Sequence, residues 1–316
     1  MKFGWIGFHR EGLPALQGVL ERGYRVEAVL TLRPDLAAKR SGAATDYWTL
    51  CREFGVPLHE VANINDQASL ELLRGRDLDV VFVIGWTQIV RSPALRLARI
   101  GMIGAHASLL PHNRGRAPIN WTLIRGEQQT GNSLIWLAEG VDRGSIIDQT
   151  LIPITPYDTC DSLYHQVAAS NRDMILRVLP QLMVGKRPGR PQPHTDEAEL
   201  PGRWPEDGLL DWSKPHLDVY DFVRALTRPY AGAFSRLDGK RWTLWRCVRL
   251  PEVYSSEAQP GQVLGPAFSF EEAACGQVVA CSKGAIILLE EDEEGKILKG
   301  PRLSDQVRQG KVWGNE

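Results

Sequence analysis

Two polar side chains in this sequence stand where enzymes place groups that move protons. His106 follows the apolar run of residues 101–105 in the stretch GMIGAHASLLP, and Asp142 lies between two glycines in the stretch EGVDRG. A histidine changes its charge near neutral pH, so it can accept or donate a proton during a reaction. A carboxylate beside the ring would orient it and favour its charged form. If the fold brings the two side chains together, they can carry out acid–base chemistry.

Other interpretations of these residues stay open on the sequence alone. His106 could be held by backbone groups at a strand end, and Asp142 could cap its own turn. Ser108 lacks the Gly-x-Ser-x-Gly setting of a hydrolase nucleophile, which favours a local hydrogen bond for its hydroxyl. Only His112 lies near His106, and no cysteine or acid has ligand spacing, so the sequence predicts no metal site.

The elements that would position these residues are those of an open α/β sheet. Residues 2–8 and 25–32 have strand patterns on either side of a helix at 13–20, and such a β–α–β unit predicts parallel strands. Residues 79–84, DVVFVI, are typical of a strand buried on both faces. Polar residues that follow parallel strands meet at the carboxyl edge of the sheet. The predicted fold class is therefore α/β, with a Rossmann-like, open and mostly parallel sheet in residues 1–184.

The remainder of the chain predicts a second, smaller domain. Residues 185–202 are dense in proline and charge, which is typical of an extended linker. Residues 203–316 contain short strand-like runs separated by turn residues, which favours a small OB-like β-barrel subdomain. Within it, the acidic run at 290–294 predicts a solvated hairpin tip. Earlier in the chain, Ser92 is predicted to cap a short helix with Pro93 at its first position.

Length, charge and cysteine content limit the classes of protein that fit. The chain has 316 residues, enough for two domains. Its formal net charge is -1, whereas a nucleic-acid-binding protein needs a basic face, so the composition argues against a nucleic-acid partner. Five scattered cysteines predict reduced thiols in a cytoplasmic protein. No apolar run is long enough to span a bilayer and no signal-peptide pattern is seen, so no membrane partner is expected.

The stretch around His106 resembles the folate-dependent formyltransferase family. The family pattern is Asn-x-His-x-Ser-Leu-Leu-Pro, then Arg-Gly-x-x-Pro, Thr-Gly and Gly-x-Asp-x-Gly, and the likeness continues through both predicted domains. The wording SLLPHNRGRAPINW is most similar to the module that formylates a UDP-aminoarabinose sugar, and it is also similar to methionyl-tRNA formyltransferase. The matching residues are His106, Ser108, Leu109, Leu110, Pro111, Arg114, Gly115, Pro118, Thr130, Gly131, Gly140, Asp142 and Gly144.

The resemblance implies an activity and a set of site residues. The activity is transfer of a formyl group from N10-formyltetrahydrofolate to the primary amine, or hydroxylamine, of a small molecule, either an amino sugar nucleotide or a specialised metabolite. Methionyl-tRNA is the less favoured acceptor, because it would require a basic groove. The sequence leaves open whether the protein forms a homodimer. The implied catalytic residues are His106 and Asp142, the folate-binding residues are Gly85, Trp86, Thr87, Gln88, Ile89, Leu109, Leu110, Val141 and Asp142, and the substrate-binding residues are His9, Ser108, Arg114, Gly115 and Arg116.

Two of these assignments have simpler alternatives. The loop at 85–89 could cover the core through Trp86 and Ile89 instead of wrapping a pteridine ring. Arg114 and Arg116 could be surface arginines in a tight turn, although a guanidinium also suits phosphate or carboxylate. The sequence does not choose between these interpretations.

One position departs from the family pattern. Gly104 stands where the family has a catalytic asparagine, whose side chain, by the resemblance, donates a hydrogen bond to the formyl oxygen as it becomes an oxyanion. Loss of one such donor typically lowers a rate by about 10²–10³-fold. Three explanations stay open: water or another side chain replaces the amide, the chain is a weakened variant, or the protein binds folate and catalyses a different reaction or none.

Overall fold

The computed structural model describes residues 1–44, 46–250 and 257–314, so residues 251–256 and 315–316 of the predicted second domain lie outside it. The chain forms two compact units. The first comprises Met1–Pro118, Gln129–Ile154 and Leu163–Gly202, and the second comprises Ile119–Gln128, Thr155–Ser162 and Arg203–Glu316. The sequence did not indicate that two short early segments pack with the second unit. The predicted boundaries at residues 184 and 202 stay a prediction.

A mostly parallel sheet forms the centre of the first unit. Its strands are β1 Phe3–Ile6, β2 Val26–Leu32, β3 Leu58–Val61, β4 Val80–Val83, β5 Gly101–His106, β6 Gln129–Trp136 and β7 Ile146–Pro153. In the described residues these seven strands follow the order β3-β2-β1-β4-β5-β6-β7. The pairs from β3 to β5 are parallel, whereas β6 is antiparallel to both β5 and β7. The carboxyl ends of β1, β4 and β5 therefore share one edge.

Helices cover both faces of this sheet. The helices of the chain are α1 Leu13–Glu21, α2 Pro34–Ala37, α3 Tyr47–Glu53, α4 Gln67–Arg74, α5 Ser92–Leu95, α6 Pro118–Ile124, α7 Cys160–Met183, α8 His216–Leu226 and α9 Pro301–Ser304. One face packs against α1 and α7, with Leu16 and Met174 in the same core as Ile103. The other packs against α4, with Leu73 beside Val81. Although α7 is long, no helix in the described residues is long and apolar enough to cross a membrane.

The second unit is built on an antiparallel sheet. Its strands are β8 Ala233–Leu237, β9 Lys240–Leu250, β10 Val263–Ala267, β11 Gly276–Ala280, β12 Ala285–Glu293 and β13 Lys296–Lys299. They pair in the order β10-β11-β12-β9-β8, and β13 pairs with β12. Near the end of the chain, Val312 bridges to Gln262, next to β10, and Gly314 bridges to Arg236 in β8. One segment thus contacts both edges of the sheet. The predicted fold class, a mostly parallel α/β sheet followed by a small β subdomain, is confirmed.

One local prediction was wrong, and another was confirmed only in part. Ser92 is the first residue of α5 and not its cap, because Arg91 occupies the cap position without a capping side chain. The Ser92 hydroxyl donates to Glu139 instead. The acidic run at 290–294 does end in a hairpin, in which Glu293 pairs with Lys296 and Glu294 is exposed, but it is not wholly solvated, because β12 places Glu291 in the interior.

Glu291 is fully buried and forms an ion pair with Arg308 at 2.5 Å. The Arg308 guanidinium lies 4.6 Å from the centre of the Trp242 ring, which surrounds the pair with apolar surface. Burial raises the pKa of the Glu291 carboxyl to about 7, although the positive charge of Arg308 opposes the shift. A buried residue with this partner cannot be recognised from a local run of acids.

Candidate functional site

The structure brings His106 and Asp142 together at the carboxyl edge of the first sheet. The distance from His106 Nδ1 to Asp142 Oδ2 is 3.3 Å, and the side chains are 8% and 22% exposed. His106 is the last residue of β5, whereas Asp142 lies in the loop between β6 and β7. Because β6 runs antiparallel to β5, it ends at Trp136 beside Ile103, and residues 137–145 must turn back for Asp142 to reach His106. This arrangement can orient the imidazole and stabilise its charged form.

Both ring nitrogens of His106 face acceptors in this conformation. Nε2 lies 2.7 Å from the carbonyl oxygen of Asn113, and Nδ1 faces the Asp142 carboxylate. A carbonyl can only accept, so the contact with Asn113 is a hydrogen bond when Nε2 carries the ring proton. Asn113 adopts a left-handed backbone conformation, with φ 55°, that turns this loop. The carbonyl of Asn113 therefore occupies one side of the His106 ring.

Asp142 has a left-handed backbone conformation, and neighbouring backbone groups contact its loop. Asp142 has φ 51°, and its Oδ2 accepts a hydrogen bond from the Gly115 backbone N–H at 3.0 Å. A Cβ on Gly144 would lie 1.6 Å from the carbonyl oxygen of Trp136, so only glycine fits at that position. These contacts fix the carboxylate relative to β5.

Gln192 is a site residue that the sequence interpretation missed. Its amide nitrogen donates to the carbonyl oxygens of Asp142 at 2.6 Å and Gly144 at 2.7 Å. Its oxygen accepts from Arg114 Nε at 3.1 Å and Nη2 at 2.6 Å. Gln192 lies in the stretch that was interpreted as a linker, and its neighbours give no signal that distinguishes it. One side chain thus joins the Asp142 loop to Arg114.

The space beside Gly104 is filled by Leu137. A Cβ on Gly104 would lie 2.5 Å from Leu137 Cδ2 and 3.2 Å from its Cγ. Gly104 and His106 are two residues apart on β5 and therefore point to the same face of the sheet. Leu137 packs beside Met102 and Ile135 in the adjacent cores. An apolar side chain thus occupies the position where a polar side chain from residue 104 would project.

Buried hydrogen bonds hold the loop that follows His106 in place. The Ser108 hydroxyl donates to the carbonyl of His112 at 2.7 Å and is buried, so it serves the loop in this conformation. Ser133 Oγ, also buried, accepts from the backbone N–H of Leu110 at 3.0 Å and donates to the Ser108 carbonyl. Leu109 packs against Gly131, where a Cβ would lie 2.4 Å from Leu109 Cδ2. Ser133 was missed because a serine inside an apolar strand carries no motif.

The loop at 85–89 follows β4 and combines structural and exposed residues. Gln88 donates to the carbonyl of Ala62 at 2.8 Å and accepts from the backbone N–H of Ile64 at 2.9 Å, so it holds the loop in place. Ile89 is 62% exposed and does not cover the core. Trp86 packs partly against the core, and its indole N–H is buried without an acceptor in the described residues. Thr87 is exposed and Gly85 is buried.

His9 lies at the same edge of the sheet, directly after β1. Its backbone N–H donates to the carbonyl of Gly85 at 3.2 Å, so it contacts the 85–89 loop. Its Nδ1 is 3.8 Å from Glu11, and its ring lies 5.1 Å from that of Tyr164. Burial lowers the pKa of His9, and Glu11 partly offsets this effect. His9 is thus a buried group that forms part of the edge.

The remaining predicted residues differ in exposure. Arg114 is only 8% exposed, Arg116 is exposed, and Val141 is partly buried beside Asp142. Among the described residues no group of three or more histidine, cysteine, aspartate or glutamate side chains could hold a metal ion.

The chain matches two known family models. Residues 22–179 match the model described as formyl transferase, and residues 204–304 match the model described as formyl transferase, C-terminal domain. The first match alone covers half of the 316 residues.

Three solved structures illustrate the fold that the chain shares. HypX from Aquifex aeolicus in complex with tetrahydrofolic acid is 18% identical with a TM-score of 0.66, and the match covers 96% of this chain and 46% of that chain. An N-formyltransferase from Helicobacter canadensis in complex with folinic acid and dTDP-3-aminofucose is 15% identical with a TM-score of 0.66, covering 91% and 98%. WlaRD, a sugar 3N-formyl transferase, is 14% identical with a TM-score of 0.63, covering 94% and 98%. The chain spans about half the length of the HypX chain, and at these identities the likeness is one of fold.

Proposed function

The chain belongs to the formyl transferase family, and we propose that it transfers a formyl group from N10-formyltetrahydrofolate to the primary amine of a small molecule. The observation that carries the proposal is the 3.3 Å contact between His106 and Asp142, which lies within the matched residues 22–179. It supports a histidine that is oriented by a carboxylate, at an edge of the sheet where open α/β folds bind ligands.

The reaction sets a proton requirement that this pair can meet. The amine nitrogen bonds to the formyl carbon, the bond from that carbon to N10 breaks, and one proton passes from the amine to N10. The donor supplies the activated formyl group, and the chain must move the proton and stabilise the developing oxyanion. In our proposal His106 carries the proton and Asp142 stabilises its charged form. Nε2 becomes available only when the carbonyl of Asn113 moves away from it.

The loop at 85–89 supports a folate-binding role. The indole N–H of Trp86 is buried and lacks an acceptor in the described residues, and a buried donor of this kind is costly unless a ligand or water accepts from it. A pterin carbonyl or ring nitrogen would be such an acceptor. The exposed Ile89 offers an apolar surface for the ring. From the resemblance we also assign Leu109, Leu110, Val141 and Asp142 to the donor.

An amino sugar nucleotide is the acceptor that we favour. The matched Helicobacter canadensis enzyme was solved with dTDP-3-aminofucose, and WlaRD is a sugar formyl transferase. Residues at this edge that could contact such a substrate are His9, Gly115 and Arg116, together with Arg114. The formal net charge of -1 offers no support for a tRNA acceptor.

One observation favours a second function, that of a member that binds folate but has lost efficient formyl transfer. Residue 104 is a glycine and offers no side-chain donor to an oxyanion. Leu137 fills the space into which a side chain at this position would project. Such a protein would retain the donor pocket and either hydrolyse the donor or bind it without turnover.

A panel assay separates these functions. The full chain is incubated with N10-formyltetrahydrofolate and a set of amines that includes amino sugar nucleotides, and formylated product, formate and tetrahydrofolate are measured by mass spectrometry. Formylated product supports the proposed transfer. Formate without product, or a thermal shift with tetrahydrofolate but no turnover, supports the second function. Absence of both turnover and folate binding contradicts both.

A further inference from the structure

A polar cavity lies beside the Asp142 loop, and we call it the Arg114 groove. Its volume is about 400 Å³, within the range of about 300–1,000 Å³ that is usual for small-molecule sites. Two proline residues, Pro191 and Pro193, form part of its wall. Its polar lining comprises Arg114, Arg143, Ser145, Gln192, His194 and Thr195.

Arg114 carries a buried charge without a counter-ion. The residue is 8% exposed, and its Nε and Nη2 donate to the neutral oxygen of Gln192. In the described part of the chain no carboxylate lies within ion-pair distance of its guanidinium, whereas the nearby Arg143 is paired with Glu199 at 3.2 Å. A buried charge is costly unless an opposite charge compensates it. An anion bound in the groove would therefore compensate the buried positive charge of Arg114.

The other groups in the groove suit a phosphoryl anion. Arg143 is 58% exposed, and its ion pair with Glu199 is correspondingly weak, so it can turn towards a ligand. Ser145 and Thr195 add hydroxyl donors, and His194 is exposed beside Asp196. No carboxylate side chain lines the groove itself. Guanidinium and hydroxyl donors together are the usual partners of phosphate oxygens.

Gln192 connects the groove to the catalytic loop. Its oxygen contacts Arg114, and its amide nitrogen contacts the carbonyl oxygens of Asp142 and Gly144. A ligand on Arg114 would thus be separated from Asp142 by a single side chain. We propose that the Arg114 groove binds the phosphoryl group of a phosphorylated acceptor. The identity of the bound molecule as the acceptor rests on the proposed formyl transfer, whereas anion binding itself does not.

The test uses inorganic pyrophosphate as the probe. Its binding to the full chain is measured by calorimetry in low salt, without donor or turnover, for wild type, Arg114→Gln and Arg143→Gln. We expect at least a 10-fold loss of affinity for Arg114→Gln and about a 3-fold loss for Arg143→Gln. Arg172→Gln is the matched control, because Arg172 is 46% exposed and paired with an acid elsewhere in the same unit. It should bind pyrophosphate as the wild type does.

The outcomes are separable from those of the formyl-transfer assay. Equal affinity in all variants, or no binding to the wild type at millimolar pyrophosphate, contradicts the proposal that the groove binds an anion. This holds whether or not the protein is a formyltransferase. If Arg114→Gln does not fold, the comparison of Arg143→Gln with Arg172→Gln still decides. In turnover, inhibition by pyrophosphate that is competitive with the acceptor supports our assignment. Inhibition that is competitive with the folate donor instead assigns the groove to the carboxylates of the donor and overturns it.

Discussion

The contact between Gly104 and Leu137 leads to a quantitative prediction. A Cβ added to Gly104 would lie 2.5 Å from Leu137 Cδ2, closer than real Cβ atoms approach other groups, so the leucine must move. Leu137 is partly buried and packs against two apolar cores, so moving it disturbs those contacts. We therefore expect Gly104→Ala to be accommodated only with strain, and Leu137→Ala to remove that strain.

The size of the effect follows from opposing contributions. Overpacking typically costs about 1–3 kcal/mol, whereas replacing glycine by alanine in a strand stabilises by about 0.5–1 kcal/mol. We expect a net loss of about 1–2 kcal/mol for Gly104→Ala, which corresponds to a decrease in Tm of about 2–8 °C for a unit of this size. Leu137→Ala should cost about 1–3 kcal/mol, because the side chain is only partly buried. The loss of stability in the double variant should be about 1–2 kcal/mol smaller than the sum of the losses in the two single variants.

Urea unfolding of the four proteins measures this coupling directly. Gly75→Ala with Leu137→Ala is the matched control, because the nearest atom to a Cβ on Gly75 lies at 3.4 Å, an ordinary contact. The control pair should be additive. If the losses for Gly104 and Leu137 also add within about 0.5 kcal/mol, the steric reasoning is refuted. Formyl transfer then gives a second readout: Gly104→Asn should gain activity only together with Leu137→Ala, by up to about 10²–10³-fold.

Three further predictions concern other parts of the molecule. Asp142→Asn should lower kcat/KM for formyl transfer by about 10²–10⁴-fold, because His106 loses the charge that orients and stabilises it. Gln192→Leu should lower kcat by about 10–100-fold with little change in the KM for the donor, because the Asp142 loop loses two hydrogen bonds. Glu291 has a folded pKa above its unfolded value, so the folded state binds more protons between about pH 4.5 and pH 7, and stability falls as pH rises through that range. Glu291→Gln should abolish this decline in Tm.

Each of these predictions has a control or a contradicting result. Asp148→Asn removes a more exposed carboxylate that pairs with Arg177, and its activity should be nearly unchanged. Gln181→Leu changes an exposed residue of α7 and should leave kcat intact. The proposed role of Gln192 is wrong if its variant raises KM alone. For Glu291, a Tm that declines with pH equally in wild type and variant would show that another group titrates.

Much of the fold followed from local patterns, and the exceptions have physical causes. β4 was predictable because a continuous β-branched run indicates a strand buried on both faces. β3, with the sequence LHEV, was not predicted, because it is short and partly exposed and therefore lacks a continuous apolar pattern. Glu291 was misassigned because its partner Arg308 is distant in sequence. Burial along β12 does not follow a strict alternation, so no local pattern marked Glu291 as an interior residue.

The candidate site was predictable where a residue type signals its own chemistry. His106 and Asp142 stood out as titratable groups in glycine-rich or strand-end settings. Leu137 gave no such signal, because its importance depends on the register that places it against Gly104. Gln192 was hidden for a different reason: its stretch has the composition of a linker, and only the folded backbone shows that its amide reaches the Asp142 loop.

The route of the polypeptide through its two units restricts how the protein can be cut or recombined. The chain passes from one unit to the other five times, after residues 118, 128, 154, 162 and 202. Within the second unit, Asn120 donates to the carbonyl of Ala225 at 2.7 Å, and Arg224 donates to those of Thr155 and Asp158. A fragment ending at residue 202 would strand these early segments without their hydrogen-bonding partners. A cut at residue 202 therefore does not separate the residues of the two units, and exchanging residues 203–316 alone would change the partners of the early segments.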